Sequence, residues 1–310
     1  EVFIMSFTLK EFTGIIPAIM TPFDRNGKYD PVCSREMIDW MIAQGVGGFY
    51  LTGSNGQGPF MDTRERMEVV ENMAGQVAGR VPVVAHIGSV SARHSAEMAY
   101  HASQCGCTGV SAVPSYYVTL NRQQMKDYYR EIAEASDLPL VIYSLPKLSP
   151  TVELFQELGQ IRNVKGLKFT GPDHYMLGRI KEHMGKDFMV YSGTDEMLLS
   201  GQIMGADGAI GGTYNVIPDL YIRCKDAFWK GQVKDAQKDM LAANAILEVL
   251  FRYELSAAMR ACLGFIGVNA GYNPHPFHTL DSGEKQALKQ DLKDLKAKLD
   301  IAPIRLFEAI

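Results

Sequence analysis

The sequence predicts an α/β fold, a (β/α)8 TIM barrel with a C-terminal helical extension, and three observations carry that prediction. Short, nearly continuous apolar runs alternate with segments of helical spacing eight times within about 220 residues, the pattern of parallel strands covered by helices. None of the eight runs has the weaker character that the edge of an open sheet would need, so closure is favoured over an open, doubly wound sheet. After Gly231 the alternation stops and the chain reads as helix alone. The length of 310 residues suits one barrel, typically about 250 residues, with an addition. The expected organisation is an N-terminal segment over 1–13, the barrel over 14–230 and the extension over 231–310. Met5 is expected to be the natural start, so the residues before it are read as foreign to the fold.

Taken in order, GIIPAIMTPF (14–23) is an apolar strand that ends in a turn at Asp24 to Gly27. Pro31 to Gln44 has helical spacing at Met37, Ile38 and Met41 and stops at Gly45. GFYLTGS (48–54) is a buried strand opening into the glycine-rich SNGQG, and Thr63, read as an N-cap, starts a helix to Ala78. The same unit recurs with strands at 81–87, 109–113, 138–143, 164–170, 187–192 and 207–211. Their helices are expected at 91–104, 122–135, 152–158, 174–183, 196–204 and from Pro218. The extension is expected to hold one helix over 233–260 and another over 282–299, joined by a loop containing GVNAGYNPHP.

Bulk properties narrow the function. Hydrophobic residues make up 46% and charged residues 21%, with a net charge of −4 and scattered basic residues, which gives no footprint for nucleic acid. No apolar run reaches the roughly 18 residues of a membrane span. Cys33, Cys105, Cys107, Cys224 and Cys262 are read as reduced thiols of a cytoplasmic protein, and the C-x-C pair lacks the second ligand pair of a zinc site. Among the seven histidines there is no H-x-H or H-E-x-x-H pair, so no metal is expected.

A lysine breaks the pattern in VKGLKFT (164–170). Strand alternation sends Val164, Gly166 and Lys168 one way and Lys165, Leu167 and Phe169 the other. In isolation a lysine near a strand end is most often solvated. In this fold, however, the C-terminal strand ends form the reactive mouth. That mouth would gather Thr21, Ser54, Asn55, His86, Pro114, Tyr143, Lys168, Thr170, Ser192, Asp195, Glu196 and Gly212.

A lysine there suits Schiff-base chemistry. An ordinary amine, with a pKa of about 10.4, is neutral in about one molecule in 2,500 at pH 7, and bringing it near 7 takes roughly 4.6 kcal/mol of destabilisation of the cation. Apolar surroundings supply much of that, and the resulting iminium is an electron sink for breaking or making a carbon–carbon bond. Tyr143, ending the preceding strand, is placed to move protons, or else is a core tyrosine with a satisfied hydroxyl. The glycine-rich loop 53–58 offers hydroxyls and N–H groups to a carboxylate; it is not a dinucleotide fingerprint. Asp195 and Glu196, adjacent on one turn, do not flank a bond as glycosidase carboxylates do. They are read as ligands of substrate hydroxyls, or as the N-terminal acids of the next helix.

The motifs GIIPAIMTPFD, GSNGQG, VPSYY, IYSLP, GLKFTGPD, YSGTDE and GAIGGTYN follow one another in this order. With them the chain resembles the superfamily of N-acetylneuraminate lyase and dihydrodipicolinate synthase, the pyruvate-dependent class I aldolases, from about Gly14 to the C-terminal helices. The resemblance implies that Lys168 forms the imine with pyruvate without a cofactor, that Tyr143 shuttles the proton and that Ser54 and Asn55 hold the carboxylate. It further implies that Tyr116 or Tyr117 is lent across an interface of a homotetramer. A sugar or aldehyde would be the second partner, met by Gly193, Asp195 and Glu196. Leu148, where the synthases usually carry arginine, together with the acidic pair and Thr170, is closer to the lyases.

Departures are present too. Asn55 and Gln57 replace a threonine and a glutamate of the usual loop, Gly212 replaces a serine, and Ser144 an asparagine. Outside this class, a metal-dependent barrel hydrolase and a catalytically silent ligand-binding barrel remain as alternatives.

Overall fold

The computed structural model describes residues 7–145 and 150–310. Eight parallel strands form one sheet: β1 (Gly14–Pro17), β2 (Phe49–Leu51), β3 (Val83–His86), β4 (Gly109–Ala112), β5 (Leu140–Ser144), β6 (Val164–Phe169), β7 (Met189–Ser192) and β8 (Gly208–Gly211). Each strand neighbours the next in sequence, and β1 pairs with β8. The last seam, between β1 and β2, is closed by a parallel bridge from Ala18 to Tyr50 and by the Ile19 N–H donating to the Tyr50 carbonyl at 3.1 Å. Helices α1 (Pro31–Ala43), α2 (Thr63–Val77), α3 (Ala92–Gln104), α4 (Arg122–Glu134), α5 (Val152–Leu158), α6 (His174–Met184), α7 (Leu198–Ile203) and α8 (Pro218–Trp229) return the chain between strands and cover the outside.

Strand alternation sorts the apolar residues into two layers. Leu51, Ala85, Ile142, Leu167 and Val190 face outward and join the helices in the large core. Ile16, Tyr50, Val84, Val141, Met189, Tyr191 and Ile210 fill the interior. Below them, a single 3-10 turn at Leu9–Glu11 places Leu9 and Phe12 in the lower end. Phe12 meets Tyr191 edge to face at 5.4 Å, a pairing that adds about 1 kcal/mol to the burial itself.

Three details differ from the sequence expectation. Val164 packs in the outer layer with Leu167 and Phe169 rather than beside Lys168. Leu140 pairs with Val164 but Val141 with Gly166, so Lys165 is an extra, exposed residue, and this bulge resets the alternation that follows. Asp62, not Thr63, caps α2, accepting the Glu65 N–H at 2.9 Å in a reciprocal box with the Glu65 carboxylate. The expected single helix over 233–260 is two, α9 (Val233–Leu250) and α10 (Leu255–Ile266). Glu254 restarts the chain by accepting the Ser256 N–H and hydroxyl at 3.3 and 2.8 Å, a cap from a residue type seldom chosen for it. The chain ends with α11 (Ser282–Lys296) and α12 (Arg305–Glu308), whose buried Leu288, Leu292, Leu306 and Phe307 join the same outer core.

Candidate active site

With Lys165 looped out, Gly166 and Lys168 both face the interior. Lys168 is level with Tyr143 on β5 and Tyr191 on β7 and is only 6% exposed. Its Nζ lies over the Tyr143 ring, 4.0 Å from the centroid, and over the Tyr50 ring at 4.7 Å. Tyr50, which the sequence reading passed over, shares the inward face of β2 and is fixed by donating to Ser111 Oγ at 2.9 Å. Two aromatic faces attract a cation yet carry no countercharge. Among the described residues Lys168 has no carboxylate partner within ion-pair distance.

Tyr143 is equally buried. Burial alone raises its phenol, but the Lys168 charge, with the Ser54 and Thr170 hydroxyls close by, outweighs this and holds it below the usual tyrosine range. Three expected site residues, Ser54, Lys168 and Thr170, at the ends of β2 and β6, therefore gather around a fourth, Tyr143 on β5. The Thr170 hydroxyl donates to the Gly193 carbonyl at 3.2 Å. A Cβ on Gly193 would stand 2.2 Å from Thr170 Oγ1 and 3.2 Å from Lys168 Cε, so only glycine leaves room for the lysine stem.

The loop after β2 is held under strain. Thr52 and Gln57 both have left-handed backbone, with φ of 50° and 56°, at a cost of about 1–3 kcal/mol each. Thr52 is secured by its hydroxyl donating to the His86 carbonyl at 2.8 Å, and the Gly56 carbonyl accepts from Thr21 Oγ1 at 2.7 Å. Among the described residues the N–H groups of Ser54, Asn55 and Gly56 have no hydrogen-bond partner, which leaves three donors in consecutive residues for an anion. The Asn55 side chain is partly committed: its amide donates to the Ala18 carbonyl at 2.5 Å, beside the β1–β2 seam. Gly212 lies next to it, a Cβ there falling 3.2 Å from Asn55 Oδ1.

The acidic pair is split. Asp195 is buried, its Oδ2 accepting the Thr213 N–H and hydroxyl at 2.7 and 2.6 Å, and burial raises its carboxyl despite those bonds. Glu196 is exposed at the rim, with its backbone carbonyl taking the Asn244 amide at 3.2 Å. Tyr116 and Tyr117 project from the loop after β4, Tyr117 being 83% exposed. The structure does not bring them to Lys168 within the chain. Leu148 lies outside the described residues. His86, a strand-end candidate, is fully buried; its Nε2 accepts the Val113 N–H at 3.3 Å, and burial with the nearby Arg66 and Lys168 charges keeps it neutral. No group of three or more potential metal ligands occurs among the described residues.

The family model described as the dihydrodipicolinate synthetase family matches residues 11–295. The chain belongs to that family. An N-acetylneuraminate lyase of Rhizobium meliloti is 32% identical over 279 residues, covering 89% of this chain and 93% of the relative. One from Citrobacter koseri is 33% identical over 291 residues, 91% and 98% of the two chains. Among solved structures, a catalytic lysine mutant of the sialic acid aldolase of Ruminococcus gnavus superposes with a TM-score of 0.88 at 28% identity, covering 94% of this chain and 99% of that one. A Bacillus anthracis dihydrodipicolinate synthase matches about as well, with a TM-score of 0.86 at 26% identity, 94% and 99% covered. Backbone shape therefore does not separate the lyases from the synthases of the dihydrodipicolinate synthetase family, and the residues around the lysine must.

Proposed function

We propose that this protein is a Schiff-base lyase that cleaves N-acetylneuraminate to N-acetylmannosamine and pyruvate. The observation that carries this reading is the buried Lys168 amine over the Tyr50 and Tyr143 rings, with the Ser54 and Thr170 hydroxyls close to the Tyr143 phenol. The substrate carboxylate sits on the free N–H groups of Ser54 to Gly56. The neutral amine adds to the ketone, and loss of water gives the iminium. Tyr143, as phenolate, takes the proton from the C4 hydroxyl, two carbons from the imine carbon; the C3–C4 bond breaks, the aldehyde forms, and the electron pair passes into the iminium as an enamine. Protonation and hydrolysis then return pyruvate and the free lysine. Every proton and electron pair stays within substrate, water and protein, so no cofactor is consumed.

Thr170, Gly193, Glu196 and the free Oδ1 of Asp195 lie along the path of the sugar chain, and Gly212 widens it where a serine would otherwise contribute a hydroxyl. Tyr116 or Tyr117 serves a neighbouring subunit of a cytoplasmic homotetramer. A dihydrodipicolinate synthase is the second reading, because it would use the same lysine with aspartate semialdehyde as the partner. Trapping with pyruvate and borohydride, followed by digestion, is expected to place a pyruvate-derived mass on the Lys168 peptide; a folded protein without that adduct overturns the mechanism. With the adduct in hand, pyruvate release from N-acetylneuraminate against pyruvate consumption with aspartate semialdehyde decides between the readings.

A further inference from the structure

The strained loop that offers its N–H groups to the substrate carboxylate is anchored from outside the barrel. Gln57, buried and in left-handed conformation, turns its side chain away from the mouth toward the extension. Its Oε1 accepts from Arg260 Nη2 at 3.1 Å, and its Nε2 donates to Asn273 Oδ1 at 3.3 Å. Arg260, on α10, donates also to the carbonyls of Thr21 at 2.8 Å and of Ala270, and through Nε to Asn273 Oδ1 at 2.7 Å. Thr21 in turn holds the Gly56 carbonyl, so one guanidinium grips the loop at two successive residues, once directly and once through Thr21. Asn273 is itself fixed by donating to the His278 carbonyl at 2.5 Å and to Glu254 at 3.3 Å, the same Glu254 that starts α10. Arg260 is almost fully buried and among the described residues forms no ion pair with a carboxylate; its acceptors there are amide and backbone oxygens, a costly arrangement for a charge unless its geometry is used.

We propose that Arg260, with Gln57 and Asn273, is a positioning residue for the reaction: from the helical extension it sets the backbone of Ser54 to Gly56 that receives the keto acid's carboxylate. It touches no reacting atom. The inference rests on the assignment of that loop to the carboxylate, and it makes the extension part of the keto-acid site.

The test is pyruvate titration of borohydride trapping at Lys168, with circular dichroism melting on the same samples. Arg260→Met and Gln57→Ala are each expected to raise the half-saturating pyruvate concentration about tenfold or more, with the maximal trapped fraction unchanged. The double variant is expected to match the worse single one, because the two side chains act as one unit. Leu288→Ala, a core truncation in α11 remote from the loop, serves as the comparison. It is expected to lower the melting temperature and leave half-saturation within twofold. Should Arg260→Met unfold, Gln57→Ala alone carries the test. Folded variants that melt earlier but keep wild-type half-saturation overturn the proposal, as does an equal shift in Leu288→Ala. Absence of any adduct in the wild-type protein instead overturns the proposed function.

Discussion

Lys168 and Tyr143 act on each other, and this sets what each substitution should do. Lys168→Ala is expected to abolish turnover and adduct formation with the fold intact. Tyr143→Phe should slow turnover by about 10² or more, since proton transfer at the alkoxide is lost while the amine remains. The phenol of Tyr143 is lowered chiefly against its own burial by the lysine charge, so its ionisation precedes that of an ordinary tyrosine as pH rises. A tyrosinate difference spectrum near 295 nm should therefore show a step below pH 10 that is missing in Tyr143→Phe and moves upward in Lys168→Ala. By linkage, a folded value below the unfolded one stabilises the protein fully only above about pH 10, and the gain is lost as pH falls through the folded value. Gly193→Ala places a methyl group against Thr170 and the lysine stem, and a loss of kcat of tenfold or more with a native circular dichroism spectrum is expected. Lys168, Tyr143 and the loop were legible as strand-end residues in a barrel. Tyr50 was less so, because an inward aromatic on a continuous apolar run looks like packing until the lysine is seen above it. Asp195 was read for its charge, whereas its role as acceptor for Thr213 depends on a contact 18 residues away.

At the level of elements, the sequence located every strand and helix of the barrel, because their hydrophobic periods are unbroken and glycines mark the turns. It missed what no period encodes. The bulge at Lys165 reads as simple alternation, since a lysine at a strand's start is unremarkable in either register. The break between α9 and α10 has no glycine or proline, and the stop comes from Glu254, itself tied to Ser256 and Asn273. The cap of α2 separates the two readings cleanly: Asp62→Ala should cost about 1 kcal/mol in urea unfolding, whereas Thr63→Ala, at the first helical position, should cost a few tenths. The reverse order would return the cap to Thr63.

For the whole molecule, the exposed Tyr116, Tyr117 and Val118 form an apolar rim that one chain leaves in water. A homotetramer is expected, and light scattering should return about four times the 34.3 kDa of the chain. A monomer at micromolar concentration would remove the cross-subunit role of these tyrosines. The lower end of the barrel has a consequence for the order of events. Among the described residues, Leu9 and Phe12 pack beneath Tyr191 and fill the lower end of the barrel interior, so under the proposed function the imine is reached from the mouth. On that reading, the water that hydrolyses the imine enters from the mouth, through the space the sugar would occupy. The proposed function therefore predicts that the aldehyde leaves first and pyruvate last, and product-inhibition kinetics should show excess pyruvate holding the enzyme as the imine while excess aldehyde drives the carbon–carbon bond to re-form.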